Sequence, residues 1–258
     1  MPSFQNNPFS YGAGAGTARS QVQVDQGLRA FMLGVYNNMV LGLAISGLVA
    51  FGTNMLAVTQ NAAGRMALTP FGQALYVSPL KWAVVLAPLA FIFFFSFRMD
   101  RMTAATARTV FLLFAAVMGL SLSTLLVVFK LGSIVQVFFI TAAAFGSLSL
   151  YGYTTQRSLS GMGSFLMMGL IGLILASLVN LFMASSAMQF AISVIGVLIF
   201  AGLTAYDTQK LKEMYLYELG TPDNEVAAKA SVYGALQLYL DFINMFQFLL
   251  SLMGSRNE

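Results

Sequence analysis

Residues 158–206 read SLSGMGSFLMMGLIGLILASLVNLFMASSAMQFAISVIGVLIFAGLTAY, 49 residues without one Asp, Glu, Lys or Arg. A helix crossing a bilayer core needs about 20 apolar residues, so this run holds two crossings and a turn. The turn is placed at Ala184–Ala187. The apolar residues are continuous rather than alternating, which excludes the strands of a membrane β-barrel.

Outward from this run, the same absence of charge recurs between Arg29 and Arg65, between Arg108 and Lys130, and between Lys130 and Arg157. The predicted spans are Ala30–Met55, Leu80–Phe97, Thr109–Phe129, Leu131–Tyr153, Met162–Met183, Met188–Gln209 and Lys229–Met253. Composition agrees: 9% of the 258 residues are charged, against about 25% in a soluble domain. The fold class is an all-α integral membrane protein of seven transmembrane helices. Residues 29–258 make up the transmembrane domain, and residues 1–28 are read as a disordered cytoplasmic tail, because Phe4–Gly16 is rich in Gln, Asn, Gly, Ala and Pro and has no helical or strand period. The apolar run that follows is too long, and lacks the basic start, for a cleaved signal. Pro88 falls inside the second span, where a kink or a break is expected.

Lys and Arg in the short loops set the orientation. With the N-terminus inside, Arg19, Arg29, Arg98, Arg101, Arg108, Arg157, Lys210, Lys212 and Lys229 are cytoplasmic, and Arg65, Lys81, Lys130 and Arg256 are outside. Nine against four favours a cytoplasmic N-terminus. There is no Cys and no His, which removes disulfides, thiolate sites, the usual general base and the commonest zinc ligand. The expectation is a protein that is not an enzyme and carries no cofactor. A net charge of +4, spread over loops, gives no reason to expect nucleic acid as a partner.

Several polar residues lie where lipid would reject them. Asp241 is in the middle of the last span, and a carboxylate at that depth costs about 2.5–3.5 kcal/mol unless it faces the interior and has a partner. Tyr233, Gln237, Asp241, Asn244, Gln247 and Ser251 follow one another at intervals of 4, 4, 3, 3 and 4, one face of a helix. The other faces are Leu, Phe, Ile and Met, so the stripe points at other helices or at water, and the seventh helix is expected to be central. Such a stripe either fixes packing or lines a permeation path. Asp207 ends the sixth span, with Lys210 three residues on as a simple partner. Spans six and seven form an antiparallel hairpin, in which straight helices leave the two aspartates about 12 Å apart in depth. Arg98 and Arg101, in the loop after span two, serve either as positive anchors or as a counter-ion for an aspartate. Asn37, Asn38 and Asn180 are further candidates for an interior polar layer, and the pairs Gly42/Ser46, Ala142/Gly146 and Gly172/Ala176 have the spacing of close helix contacts.

The stretches VYNNMVLGLAISGLVA (35–50), FITAAAFGSLSLYGYTT (139–155), GLIGLILASLVNLF (169–182), IFAGLTAYDTQKLK (199–212) and LYLDFINMF (238–246) resemble the Bax inhibitor-1 family, the transmembrane Bax inhibitor motif group with its YccA-like bacterial members. The resemblance runs from Asp25 to Gly254. It implies a seven-helix bundle with the last helix central. It also implies a calcium leak controlled by a pH-sensitive latch at Asp207 and Asp241, with an arginine after span two, Arg98 or Arg101, engaging the first aspartate. It further implies a bacterial inner membrane location, and partners that include the lipid bilayer, calcium ions held transiently at Asp207 and Asp241, and a membrane-bound quality-control protease. The alternative to a channel is a protein that modulates such a protease, or another stress-response partner, without conducting anything.

Overall fold

The structure is a computed structural model that describes residues 13–60, 66–98, 101–219 and 224–257, with side chains described from Val24 onward except at 95–96, 218–219 and 224. In chain order the elements are α1 (Ala13–Ala57), β1 (Val58–Gln60), β2 (Met66–Leu68), α2 (Pro70–Tyr76), α3 (Leu80–Arg98), α4 (Ala104–Val128), α5 (Leu131–Thr154), α6 (Ser160–Met183), α7 (Ser186–Met214) and α8 (Asn224–Met253). Among the described residues, six helices are long and apolar enough to cross a membrane. The pair α2 and α3, bent by 59° where they join, is apolar enough to make a seventh when taken as one broken span. The chain is thus an all-α, multi-pass membrane protein whose spans coincide with the gaps in charge.

The structure adds three local features. Residues Ala13–Leu28, read as part of a structureless tail, continue α1 as helix, since extending a helix already anchored in the bundle needs no new nucleus; residues 1–12 lie outside the described residues. Helix α3 runs through Pro88 without a break, and the sharp bend lies before it, at 77–79. The long loop after the first span contains structure of its own. β1 and β2 pair antiparallel with Val58 opposite Leu68, and Thr69 then closes the end of α1. Its N–H donates to Ala57 O (3.0 Å) and its hydroxyl to Leu56 O (2.8 Å), while the same hydroxyl oxygen accepts from Gly72 N (3.1 Å) as the N-cap of α2. Two carbonyls left over at a helix end and one leftover N–H of the next helix are satisfied by a single residue.

The turn between the two crossings of the 158–206 run falls at Ala184 and Ser185. Ala184 takes the left-handed conformation (φ 49°) that ends α6, and Asn180 Oδ1 accepts from Ser185 N at 3.0 Å. Ser185 in turn caps α7 by accepting from Met188 N at 3.3 Å.

Helix α8 is the axis of the bundle. It packs against α1, α4, α5 and α7, and half of its membrane window is buried, against 17–39% for the other spans. Tyr239, at its centre, is fully buried with its ring edge-on to Phe111 and Phe114 of α4. Its hydroxyl meets Ser46 Oγ of α1 at 2.6 Å, and Ser46 donates to Ala115 O of α4 at 2.7 Å, so one serine joins three helices.

Of the three small-residue pairs, only Gly42/Ser46 lies at a tight contact: a Cβ at Gly42 would come within 2.7 Å of Phe111. Positions for a Cβ at Gly146 and Gly172 meet nothing within 4 Å. The close approaches lie elsewhere, at Gly119 against Ser46 O and at Gly152 against the carbonyl oxygen of Ala205. Small residues permit close approach, but the rotation of each helix decides whether it happens.

Candidate functional site

The last two turns of α7 carry the run Asp207, Thr208, Gln209, Lys210, Leu211, Lys212, and successive residues on a helix point about 100° apart. The polar members therefore divide among several neighbours. Asp207 turns to α8, where it lines one cavity with Asp241 and Gln237 and lies close enough to both for their side chains to act on its carboxyl. Thr208 turns to α5: its hydroxyl is 3.0 Å from Ser149 Oγ, which is 2.7 Å from Tyr36 Oη of α1. Gln209 reads the loop before α6, accepting from Leu159 N at 2.7 Å and donating to Arg157 O at 2.9 Å. Lys212 donates to Tyr153 O at 2.8 Å, at the end of α5.

Asp207 and Asp241 are 5% and 4% exposed, so both carboxyls are taken out of solvent. The two carboxyls share one cavity although straight helices would set them about 12 Å apart in depth. α7 is not a straight rod to its end, because after Met214 it changes to a π-helical turn, Tyr215–Leu219, and such turns redirect helices. Oδ2 of Asp241 is buried without a hydrogen-bond partner. A buried polar oxygen in that condition costs about 1–3 kcal/mol.

The aspartates open on a cavity of about 790 Å³ bounded by α6, α7 and α8. Tyr233, Gln237, Asp241 and Asn244 of α8 line it with Asp207 and Lys210 of α7, and α6 supplies an apolar wall. The polar stripe read from the sequence therefore faces one space over its first four members. Its far end does something else: Ser251 Oγ accepts from Ser193 Oγ of α7 at 3.1 Å, outside the cavity lining, and Gln247 is half-buried between the two groups. Tyr233 is 41% exposed, at the rim.

The arginines stand apart. Arg98 is exposed, its guanidinium 6.0 Å from the Phe94 ring centroid, and Arg101 is exposed in the turn before α4. The cation whose charge acts on Asp207 is Lys210, itself exposed. Asn37 is exposed, and Asn180 serves the α6–α7 turn rather than a polar layer at the aspartates. Tyr36, Ser149, Thr208 and Gln209 were not singled out in the sequence. For Thr208 and Gln209 the only signal was their place beside Asp207, and for Tyr36 and Ser149 there was none. Among the described residues no three acidic side chains come together as a metal cage.

This is a polytopic helical membrane protein built around a central last helix that carries one half of a buried carboxyl pair. The chain belongs to the family described as inhibitor of apoptosis-promoting Bax1, whose model matches residues 28–258. It is 46% identical over 240 residues to an uncharacterized protein of Caulobacter vibrioides, covering 93% of this chain and 94% of that one. It is 43% identical to a Rickettsia prowazekii protein, covering 91% and 93%. It is also 41% identical to the inner membrane protein YbhL of Escherichia coli, covering 92% and 96%.

Proposed function

We propose that this protein is a passive, pH-modulated calcium leak channel in which Asp207 and Asp241 form the latch. The observation that carries the reading is a pair of buried carboxyls on neighbouring helices that share one cavity, whose largely apolar lining also includes Gln237 and Asn244. Two touching carboxyls are stable only with a proton between them, because two like charges in a space of low dielectric repel strongly. Losing the proton drives α7 and α8 apart, and a packed bundle converts such a local push into a change of state. Calcium is the cargo, met in transit by the carboxylate oxygens of Asp207 and Asp241 and the amide oxygens of Gln237 and Asn244. Arg98 or Arg101 receives a released aspartate only if the loop after α3 swings inward. The N-terminus is placed on the cytoplasmic side by the excess of Lys and Arg there, and the likeness to YbhL supports an inner membrane location.

The test is calcium flux into dye-loaded vesicles of pure lipid carrying the wild-type chain or Asp241→Ala. Flux in the wild type that changes in the variant supports the reading. Equal flux in both would leave the aspartates as packing residues. No flux in the wild type would turn the reading to the non-conducting alternative, a modulator of a membrane-bound quality-control protease.

A further inference from the structure

Helices α1 and α5 flank α8 with few contacts between them, and the space they enclose is a cavity of about 1180 Å³ on the face of the bundle away from α6. Its lining on α1 runs from Arg29 to Leu48, about 28 Å of helix at 1.5 Å per residue, close to the roughly 30 Å of a hydrocarbon core. Leu33, Val40, Leu48 and Leu150 line it and are 51–72% exposed. Arg29 is the one charged residue in the lining, at one end and exposed. Tyr153 lines that same end and carries Lys212 against its carbonyl and 5.7 Å from its ring centroid. Asp25 lies one turn further out on α1 and does not line the groove.

A groove of this lining filled with water would wet its apolar walls, and an empty one would forfeit their dispersion contacts. The molecule that fits is long and apolar with a single anionic end. Aromatic side chains at the charged end match the depth at which headgroups meet tails. We propose that the α1–α5 groove is a binding site for an anionic phospholipid, its phosphate at Arg29 and an acyl chain along the groove. The assignment is independent of whether the protein conducts calcium. It adds a ligand that touches Tyr36, whose hydroxyl leads through Ser149 to Thr208, the residue next to Asp207.

The experiment places a tryptophan at the lining position Leu150 in a Trp82→Phe background, which leaves a single reporter, as Trp82 is the chain's only tryptophan. The protein is reconstituted in mixed phosphatidylcholine and phosphatidylglycerol vesicles in which one or the other lipid carries brominated chains. Brominated phosphatidylglycerol is expected to quench with an apparent association about fivefold stronger than brominated phosphatidylcholine, the factor expected for a basic group at a membrane surface. Arg29→Gln should remove that preference. Gly47→Leu with Gly146→Leu should lower quenching by both lipids, since both glycines line the groove and a Cβ at either meets nothing within 4 Å, so the added chains project into it. Equal quenching by the two lipids in the parent would overturn the proposal, as would a preference that survives Arg29→Gln. Quenching unaltered by the double leucine variant would do so too. Absence of quenching by either lipid would assign the groove to a protein helix instead.

Discussion

Asp207 of α7 and Asp241 of α8 meet side chain to side chain across a hairpin, each almost wholly buried, with Gln237 one turn before Asp241 also engaging Asp207. A hydrogen bond between two carboxyls needs a proton on one of them, so the contact depends on pH by its nature.

Rising pH removes that proton and places two negative charges in contact. Spin labels at exposed positions on the Asp207 end of α7 and on the first turns of α8 should therefore move apart as pH is raised. Asp241→Asn keeps the shape, can still donate to Asp207, and removes the second charge. The distance in that variant should no longer respond. A response that persists would place the titrating group elsewhere.

Gly152 is the point where α5 comes closest to α7, and a methyl there would collide with the carbonyl of Ala205. Gly152→Ala should cost about 1–3 kcal/mol, as overpacking does. Gly146→Ala, on the same helix but facing open space, should be neutral or slightly stabilising, because alanine is the better helix former. Thermal midpoints of the two detergent-solubilised variants, measured side by side, decide it; equal midpoints would remove the close approach.

Ala184 ends α6 in the left-handed region, at φ 49°. An L side chain there is strained by about 1–2 kcal/mol, and glycine is not, although glycine loses more entropy on folding. Ala184→Gly should therefore raise stability by about 0.5–1 kcal/mol. A lowered midpoint would contradict the assigned conformation.

The C-terminal residues are stitched to the turn between α4 and α5. Lys130 N donates to Ser255 O at 2.9 Å, Asn257 N to Val128 O at 2.9 Å, and Asn257 Nδ2 to Val127 O at 3.0 Å. Deleting residues 255–258 should raise amide exchange at Lys130 by one to two orders of magnitude, since a net hydrogen bond is worth about 1 kcal/mol and the neighbouring ones fail with it. Exchange that stays unchanged would mean that water or another group already holds the turn.

What the sequence determined by itself was every property that the bilayer imposes on residues one at a time. The spans and the end of α8 at Met253 follow from where charge is absent and where it returns, because each buried charge costs free energy whichever helix lies beside it, and the turn at Ala184 and Ser185 follows from the length of the uncharged run, which is two crossings. The central place of α8 was legible for the same reason: six polar residues on one face of an apolar helix have nowhere else to go. The start of α1 was not, since residues beyond the membrane answer to helix propagation rather than to the bilayer. The tertiary structure alone decided how each helix is turned and how far it slides against its neighbours. That is why Asp207 reaches Asp241 despite the depth arithmetic, and why Lys210 rather than Arg98 or Arg101 stands nearest in charge. It is also why Gly152 makes a close contact that Gly146 and Gly172 do not, and why Tyr36 rather than Asn37 joins the interior hydrogen bonds. Rotation and register between helices depend on side chains far apart in the chain fitting together, and a pattern confined to one helix carries no record of its partner.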